Sequence, residues 1–223
     1  MSPKTGNLIV SRGNYEITKK KEINEYYDIL LPLYKKYGYK PALRGMKSAD
    51  VHGFTIQMYV GMGFFPTQED AIKCHEDAEY KKAVDFRKKF MTDYQLSLFS
   101  IPDVEVFGQL EDIYKNSKEQ YEEDMSFIIY RNNMDTNNVS QITEYASKMN
   151  EVMGRFHAEP YYYGKKIKDI EGESTGDYIG VTYFPNVMKA KECFLDDEYY
   201  ELSQKREKFT TDFNTTIYGP VVQ

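Results

Sequence analysis

The sequence lacks tryptophan, has only two cysteines among its 223 residues, and contains no apolar run near the roughly 20 residues that span a membrane. Two cysteines in a chain of this length are too few for a disulfide framework, which favours a reducing compartment. An excess of positive charge is also missing, because the net charge is −6. Such a chain suits neither nucleic-acid phosphates nor anionic membrane surfaces. We predict a cytoplasmic protein with no nucleic-acid partner and no membrane partner.

Motifs of nucleotide and metal chemistry are missing as well. The Gly-Met-Gly stretch at 61–63 lies within a predicted strand and has the spacing of neither phosphate-binding fingerprint. No two of the three histidines, His52, His75 and His157, stand at the spacing of metal ligands. The sequence therefore predicts no metal site and no nucleotide-dependent chemistry.

What the sequence does contain is a long internal repeat. The string CHEDAEYKKAVDFRKKF begins at Cys74, and its relative CFLDDEYYELSQKREKF begins at Cys193. A shift of 119 positions, the spacing of these cysteines, aligns residues 8–100 with the second half without a gap, at about two dozen identities. We interpret the cysteines as buried packing residues at equivalent helical positions. The chain is thus predicted to be a duplicated domain.

Both copies show the same order of predicted elements. The predicted strands cover 7–11, 54–64 and 94–100 in copy one and 126–130, 178–183 and 213–218 in copy two, with second strands that begin at Pro41 and Pro160. Apolar residues at helical spacing predict long helices over 19–37 and 138–156. Further helices are predicted to be capped by Thr67, Asp77, Asn186 and Asp196.

This order, βαββαβ, is the ferredoxin-like arrangement, whose four-stranded sheet carries helices on one face and needs cover on the other. We predict an α+β fold in which two ferredoxin-like βαββαβ repeats pack face to face as an intramolecular dimeric α/β barrel, a pseudo-dimer. The predicted domains are repeat one at 1–102, an acidic helical linker at 103–124 and repeat two at 125–223. Exposed sheet edges would allow further homo-oligomers.

Two motifs resemble a known family. Tyr37-Gly38 precedes Arg44-Gly45, and Phe65-Pro66 is followed by Ala71, then by Asp77-Ala78-Glu79-Tyr80 and Arg87. These patterns resemble the domain-of-unknown-function family 1330 of the dimeric α/β-barrel superfamily, and the resemblance covers both repeats. It implies the paired fold. It implies little about activity, because the superfamily includes cofactor-free monooxygenases, muconolactone-type isomerases, polyketide cyclases and haem-handling enzymes.

The sequence departs from the family pattern at three positions. Phe64 and Tyr183 stand where family members usually place an acidic residue before the Phe-Pro pair. Tyr163 stands in copy two where copy one has Arg44. The two halves have therefore diverged, and an asymmetric site is expected.

Arginines on the apolar helix stripe are the first binding candidates. Arg87 and Arg206 each lie seven residues after a tyrosine, on the same helix face. A buried guanidinium requires an anionic partner, so each arginine either forms a structural ion pair or binds a carboxylate-bearing ligand. Arg44 is a third candidate for an anion, whereas Arg12 and Arg131, at the ends of the first strands, are assigned structural roles.

Tyrosines supply the predicted ligand cavity. Strand alternation is expected to send Tyr161 and Tyr163 to one face and Tyr162 to the other. The predicted cavity for a flat or aromatic ligand is lined by Tyr59, Tyr161, Tyr163, Tyr178 and Tyr183. The same residues would equally fill the interface between the halves, and the sequence leaves both interpretations open.

The predicted catalytic residues are His52, beside Asp50 in a loop, and Tyr163. No cofactor is expected. The resemblance makes haem possible, because a helix histidine ligates iron in haem-degrading members of the superfamily and His75 lies on a helix. Those enzymes also use a tryptophan, which this chain lacks.

The leading hypothesis is a small-molecule-binding α/β-barrel protein that acts as a cofactor-independent enzyme of the isomerase, cyclase or monooxygenase type. Its substrate would be an aromatic or carbonyl-bearing compound, with Arg44 holding an anion and His52 or a tyrosine moving protons. The alternative is a non-catalytic structural or interaction module with a filled barrel, and the third is a haem-binding or haem-degrading protein. An open interior favours the first hypothesis and a packed one favours the second.

Overall fold

The computed structural model describes residues 7–100, which form repeat one, and 124–219, which form repeat two. Repeat one contains β1 (Asn7–Tyr15), α1 (Lys20–Lys36), β2 (Lys40–His52), β3 (Tyr59–Phe65), α2 (Gln68–Glu76), α3 (Ala78–Arg87) and β4 (Met91–Ser100). Repeat two contains β5 (Ser126–Met134), α4 (Val139–Arg155), β6 (Glu159–Glu171), β7 (Tyr178–Phe184), α5 (Val187–Phe194), α6 (Asp197–Arg206) and β8 (Thr210–Tyr218). The predicted βαββαβ order is confirmed, with the second helix of each copy divided in two. The predicted linker at 103–124 lies, apart from its last residue, outside the described residues.

The eight strands close into one barrel in the order β1-β3-β2-β8-β5-β7-β6-β4. Each repeat supplies one four-stranded sheet, and the two sheets meet along two seams. At one seam β2 pairs with β8, from Lys47 opposite Tyr218 to His52 opposite Thr215. At the other, β4 pairs with β6. Two ferredoxin-like repeats of one chain therefore form the predicted intramolecular barrel.

Local sequence explains where the shorter helices begin. Each predicted cap, Thr67, Asp77, Asn186 and Asp196, accepts a backbone N–H with its side-chain oxygen at 2.9–3.0 Å. Such bonds satisfy donors that have no partner within the first helical turn. None of the described helices has the length and apolar character needed to cross a membrane.

The third strand of repeat one begins later than predicted. The β-rich residues from 54 onward form a loop, and β3 begins at Tyr59. The preceding strand β2 instead continues to His52, and Gly53 turns the chain with a φ of +66°. The ladder between β1 and β3 ends at the pair of Gly13 and Tyr59, so residues 54–58 have no strand beside them there. Phe54 consequently remains 76% exposed.

The barrel interior is packed with aliphatic and aromatic side chains from both repeats. Phe127, Tyr162, Tyr183 and Tyr218 are among its largest buried members, each at most 2% exposed. Separate apolar clusters join the helices of each repeat to the outer face of its own sheet and to the end of the other repeat's second strand. The core is therefore a filled barrel between two helix layers.

A β-bulge changes the predicted direction of the tyrosine run on β6. The register of β6 against β7 shifts between Pro160 and Tyr162, which makes Tyr161 the extra residue. Tyr161 and Tyr162 consequently both pack inside the barrel. Tyr163 lies on the outer face, where its ring stacks on Tyr178 with centroids 6.1 Å apart. The expectation that Tyr161 and Tyr163 share a face was wrong, because simple alternation holds only where a strand has no bulge.

Candidate functional site

The predicted tyrosine cavity is not assembled in one place. Tyr161 and Tyr183 pack against each other inside the barrel, with ring centroids 4.9 Å apart. Tyr59 lies on the outer face of repeat one, stacked on Tyr15 at 3.6 Å. Arg44 also lies on that outer face, exposed, with its guanidinium 5.3 Å from the Tyr27 ring. The bulge and the alternation of the strands thus separate residues that the sequence alone placed together.

The other predicted residues lie between the sheets and their helices. His52, Tyr163, Tyr178 and Arg206 are all in this layer of repeat two, and Arg87 occupies the matching layer of repeat one. Each of the long second strands β2 and β6 pairs across a seam with a strand of the opposite repeat, and its last residue contacts a helix of that repeat. Two pseudo-equivalent clusters result, each built from both repeats.

Half-site one consists of Tyr80, Arg87, Tyr94 and Glu171. The Arg87 side chain is 2% exposed, and its Nη2 donates to Glu171 Oε2 at 2.5 Å. The Tyr80 hydroxyl donates to the other carboxylate oxygen at 2.7 Å. The guanidinium carbon lies 3.5 Å from the Tyr94 ring centroid. Arg87 therefore has an anionic partner within the protein, supplied by the other repeat.

Half-site two consists of the equivalent residues Tyr199, Arg206, Phe213 and His52. Arg206 is 4% exposed, and its guanidinium carbon lies 3.3 Å from the Phe213 ring centroid. His52 stands where half-site one has Glu171, with its Nε2 3.3 Å from the Tyr199 hydroxyl. Within the described ranges, Nε and Nη1 of Arg206 have no hydrogen-bond partner and no carboxylate forms an ion pair with this arginine. As far as the described residues show, half-site two thus holds a buried cation and no anion.

The electrostatics of half-site two follow from the presence of His52 where half-site one has Glu171. Burial, and secondarily the charge of Arg206, lowers the pKa of His52 to about 4, so the imidazole is neutral at neutral pH. Burial raises the pKa of Tyr199 and Tyr145, and a hydrogen bond with Arg206 offsets part of this rise. Both hydroxyls therefore keep their protons. The cluster offers one neutral proton acceptor beside one permanent cation.

An aromatic wall runs from half-site two along the outer face of the sheet. The Phe213 ring lies 5.4 Å from the His52 ring and stacks on Tyr130 at 6.3 Å. Tyr130 in turn lies 6.4 Å from Tyr163, which stacks on Tyr178. His52, Phe213 and Tyr130 are partly exposed, whereas Tyr163 and Tyr178 are buried. A flat ligand that enters beside His52 would meet this wall.

Sequence reasoning placed Tyr80 and Tyr199 beside the arginines but missed Glu171, Tyr94 and Phe213 as members of these clusters. The signal was present, because the shift of the internal repeat aligns His52 with Glu171. What the sequence did not reveal is that His52 and Glu171 each contact a helix of the other repeat.

The surroundings of His75 do not fit a haem. Its Nδ1 lies 2.6 Å from the Ala71 carbonyl oxygen, and its ring packs between Tyr80, Phe65 and Tyr34 with centroids at 4.5, 5.7 and 6.0 Å. A porphyrin would have to displace these rings to reach the imidazole. The described part of the chain also contains no group of three or more His, Cys, Asp or Glu side chains that could hold a metal ion.

Known structures share this architecture at low sequence identity. A protein of Lactobacillus acidophilus NCFM proposed to be a monooxygenase aligns with a TM-score of 0.54 and 8% identity, over 99% of this chain and 97% of that chain. An anthrone oxidase-like protein aligns at 0.57 and 8%, over 100% and 95%. A variant of chlorite dismutase from Candidatus Nitrospira defluvii aligns at 0.58 and 8%, over 97% and 92%. Likeness at this level of identity concerns the fold alone.

The comparison with protein families identifies the family of this chain, which the comparison with individual proteins does not. No curated protein matches the sequence. The model of the domain of unknown function DUF1330 matches two stretches, residues 10–100 and 126–218, which correspond to the two repeats. The chain therefore belongs to the DUF1330 family and carries two copies of its domain.

Proposed function

We propose that the chain is a cofactor-independent enzyme that binds a small carbonyl-bearing organic anion in half-site two and moves a proton on it. The observation that supports this most is the contrast between the two buried arginines. Arg87 is paired with Glu171, whereas Arg206 has a neutral imidazole in the corresponding position. A buried guanidinium is costly without an anion, and a ligand carboxylate or enolate would supply one.

The roles follow from the chemistry of each side chain. Arg206 would hold the oxygen on which negative charge develops, and the Tyr199 hydroxyl would help to orient His52. Neutral His52 would take the proton from the carbon next to the carbonyl, and the electron pair would move onto the oxygen facing Arg206. Return of the proton to a different carbon would complete an isomerisation and leave His52 neutral again.

Ligand binding would also make His52 a better base. The charge of Arg206 is one of the two causes that lower the His52 pKa. An anion paired with that guanidinium would offset its effect, so the pKa of His52 would rise in the complex. The aromatic wall of Tyr130, Tyr163 and Phe213 favours a flat or aromatic substrate. Arg44 is not part of this proposal, because it lies exposed on repeat one.

The test compares His52→Glu with wild-type protein. The substitution places in half-site two the carboxylate that half-site one already has, so it should occupy Arg206 and exclude an anionic ligand. We would incubate each protein in D2O with a panel of aromatic carboxylates and keto acids and measure deuterium incorporation by mass spectrometry, with binding followed by NMR. Wild type should bind at least one compound and exchange its acidic C–H, and His52→Glu should do neither.

Two variants serve as controls. His75→Phe copies the residue at the matching position of repeat two, Phe194, and Arg155→Met removes an exposed arginine. Both should retain exchange, and Arg206→Met should lose binding. Exchange that persists in His52→Glu, or a panel that gives no binding to wild type, would overturn the proposal.

A second candidate is an interaction module without catalysis. It is favoured by the packed barrel interior and by the exposed apolar side chains Phe54, Ile56 and Met58 on the loop between β2 and β3. In that case the loop would bind another protein, or a second copy of this chain, and His52→Glu would leave that binding unchanged.

We further infer a cytoplasmic location. Cys74 and Cys193 are both free and fully buried, and burial raises the pKa of each thiol to about 12. Neither is suited to form a disulfide or to act as a nucleophile. A reducing compartment is consistent with these properties.

A further inference from the structure

Two arginines point into the barrel rather than toward the helices. Arg12 on β1 and Arg131 on β5 are equivalent in the two repeats. They continue the inward-facing rows that begin with Leu8 and Phe127, because every second residue of a strand faces the same side. Arg12 is 4% exposed and Arg131 is 5% exposed. The packed interior therefore contains two guanidinium groups.

Both arginines line one small cavity. Its polar walls are formed by Arg12, Arg131, Gln95, Ser97 and Ser174, and its volume is about 10 Å³. A space of this size has room for about one water-sized particle. The cavity lies inside the barrel near the seam between β4 and β6, away from half-site two.

The carboxylates near this cavity are already engaged. Asp169 accepts hydrogen bonds from Ser97 at 2.6 Å and from Ser174 at 2.7 Å, and its other oxygen lies 3.2 Å from Lys166 Nζ. On the opposite seam, Asp50 is paired with Lys47 at 2.9 Å. Each carboxylate thus has a lysine of its own.

Among the described residues, neither inward arginine has a carboxylate bonded to it, although the nearby charge of Asp169 raises the pKa of Arg131 in part. Nε and Nη1 of Arg12 are buried without a hydrogen-bond partner, and none of the described carboxylates forms an ion pair with Arg12 or Arg131. Burial lowers the pKa of both, and the charge of Arg12 also lowers the pKa of Arg131, which falls to about 9. Two like charges share a desolvated space, and a negative charge between them would relieve both costs.

We propose that Arg12 and Arg131 hold one monatomic inorganic anion, of the halide class, inside the barrel. Arg12 would donate from Nε and Nη1, and Arg131 would supply the second positive charge. The Ser97 and Ser174 hydroxyls in the same wall already donate to Asp169, so the two arginines alone would bind the anion. A space for about one water-sized particle favours a monatomic anion over the larger sulfate and phosphate. The Gln95 side-chain oxygen, an acceptor, also lines the space, and a water there would satisfy it while leaving both charges without an anion.

The anion would act as a structural ligand of the folded barrel. A ligand that binds the folded state alone stabilises it in proportion to the logarithm of its concentration. We would measure thermal unfolding in sodium chloride, in sodium bromide and in sodium gluconate at equal ionic strength. The melting temperature should rise by about 5–10 °C in saturating halide, and gluconate should give no such rise.

Substitutions assign the response to the cavity. Arg131→Met and Arg12→Met each remove one charge at similar side-chain volume, and each should abolish the difference between halide and gluconate. Both variants should also lower the free energy of unfolding less in gluconate than in halide. In gluconate the wild-type protein has two like charges without an anion between them, and each substitution relieves that repulsion. Arg155→Met, at an exposed ion pair, should keep the full halide response.

Crystals of the wild-type protein grown in bromide give an answer that does not depend on the variants folding. An anomalous peak between the two guanidinium groups would support the site. A cavity without a peak at saturating bromide would overturn it and assign the space to water. Equal melting temperatures in chloride and gluconate would overturn it as well.

Discussion

Half-site one and half-site two carry the same tyrosine and arginine on the same helix of their repeats, yet their electrostatics are opposite. Glu171 neutralises Arg87, whereas His52 faces Arg206 without a charge. The residue that differs is contributed by the other repeat, at the end of a strand that pairs across a seam. The comparison teaches that the helix motif alone does not determine the chemistry of its arginine.

The same asymmetry extends to the loops that follow these strands. Repeat one exposes apolar residues around its loop, whereas the equivalent positions of repeat two are polar. In repeat one these are Met46, Phe54, Ile56 and Met58, and in repeat two Lys165, Glu173, Thr175 and Asp177. The apolar loop therefore follows His52 of half-site two, where Arg206 has no carboxylate among the described residues, and the polar loop follows Glu171 of half-site one, where Arg87 is ion-paired.

The largest effect is expected from Glu171→Gln. This substitution leaves Arg87 buried without its carboxylate, and breaking a buried ion pair costs about 3 kcal/mol of the free energy of unfolding. His52→Gln removes no charge partner of Arg206 and should cost less than about 1 kcal/mol. Urea denaturation of both variants measures the difference. Equal costs would mean that the two half-sites are energetically alike and that the comparison fails.

Lowering the pH should reduce the free energy of unfolding by an amount between those expected for Glu171→Gln and for the loop variant. The pKa of His52 and that of His75 are each lowered from 6.5 to about 4, mainly by burial. The unfolded state therefore binds protons first as the pH falls from about 6.5, and stability declines until about pH 4, where the folded state is protonated too. Urea denaturation across this range should give a flatter decline for His52→Gln than for wild type.

His75→Phe is the corresponding variant for repeat one, to be measured by the same urea denaturation as His52→Gln. It should flatten the same pH dependence without affecting half-site two. A decline that His52→Gln leaves unchanged would show that the imidazole titrates as in water, contrary to its buried position beside Arg206.

The smallest effect on stability is expected at the loop of repeat one. Phe54→Glu introduces the residue that repeat two has at Glu173, and the Phe54 side chain is 76% exposed. The free energy of unfolding should change by less than about 0.5 kcal/mol. Binding of a hydrophobic dye should decrease, because an exposed apolar patch becomes polar. Unchanged dye binding would locate the apolar surface elsewhere.

The architecture could be predicted because the sequence signal of each helix and strand occurs twice, once in each repeat. The strand order, the barrel and the caps at Thr67 and Asn186 all follow from signals that occur twice. The late start of β3 could not be predicted, because Phe54 and Ile56 have the residue types of a strand but no neighbouring strand. Local preference does not determine where a ladder ends.

The candidate site was harder to predict than the fold. Tyr161 turned inward because of a bulge, which alternation does not anticipate. Arg12 and Arg131 were placed at strand ends, whereas β1 and β5 continue through Tyr15 and Met134 and carry both arginines into the barrel. The pairing of Arg87 with Glu171 depends on the seam between repeats, and no pattern within one copy encodes that seam.

The seams also determine which strand pairings can form only late in synthesis. Lys47 pairs with Tyr218, near the opposite end of the chain. During synthesis, repeat one emerges from the ribosome before β6 and β8 exist, so its edge strands β2 and β4 wait with unpaired backbone groups. Such edges are templates for pairing with other chains, and contacts so distant in sequence form slowly. The nascent chain therefore passes through a four-stranded intermediate whose edge strands β2 and β4 are prone to aggregate. Pairing with β6 and β8 removes these exposed edges.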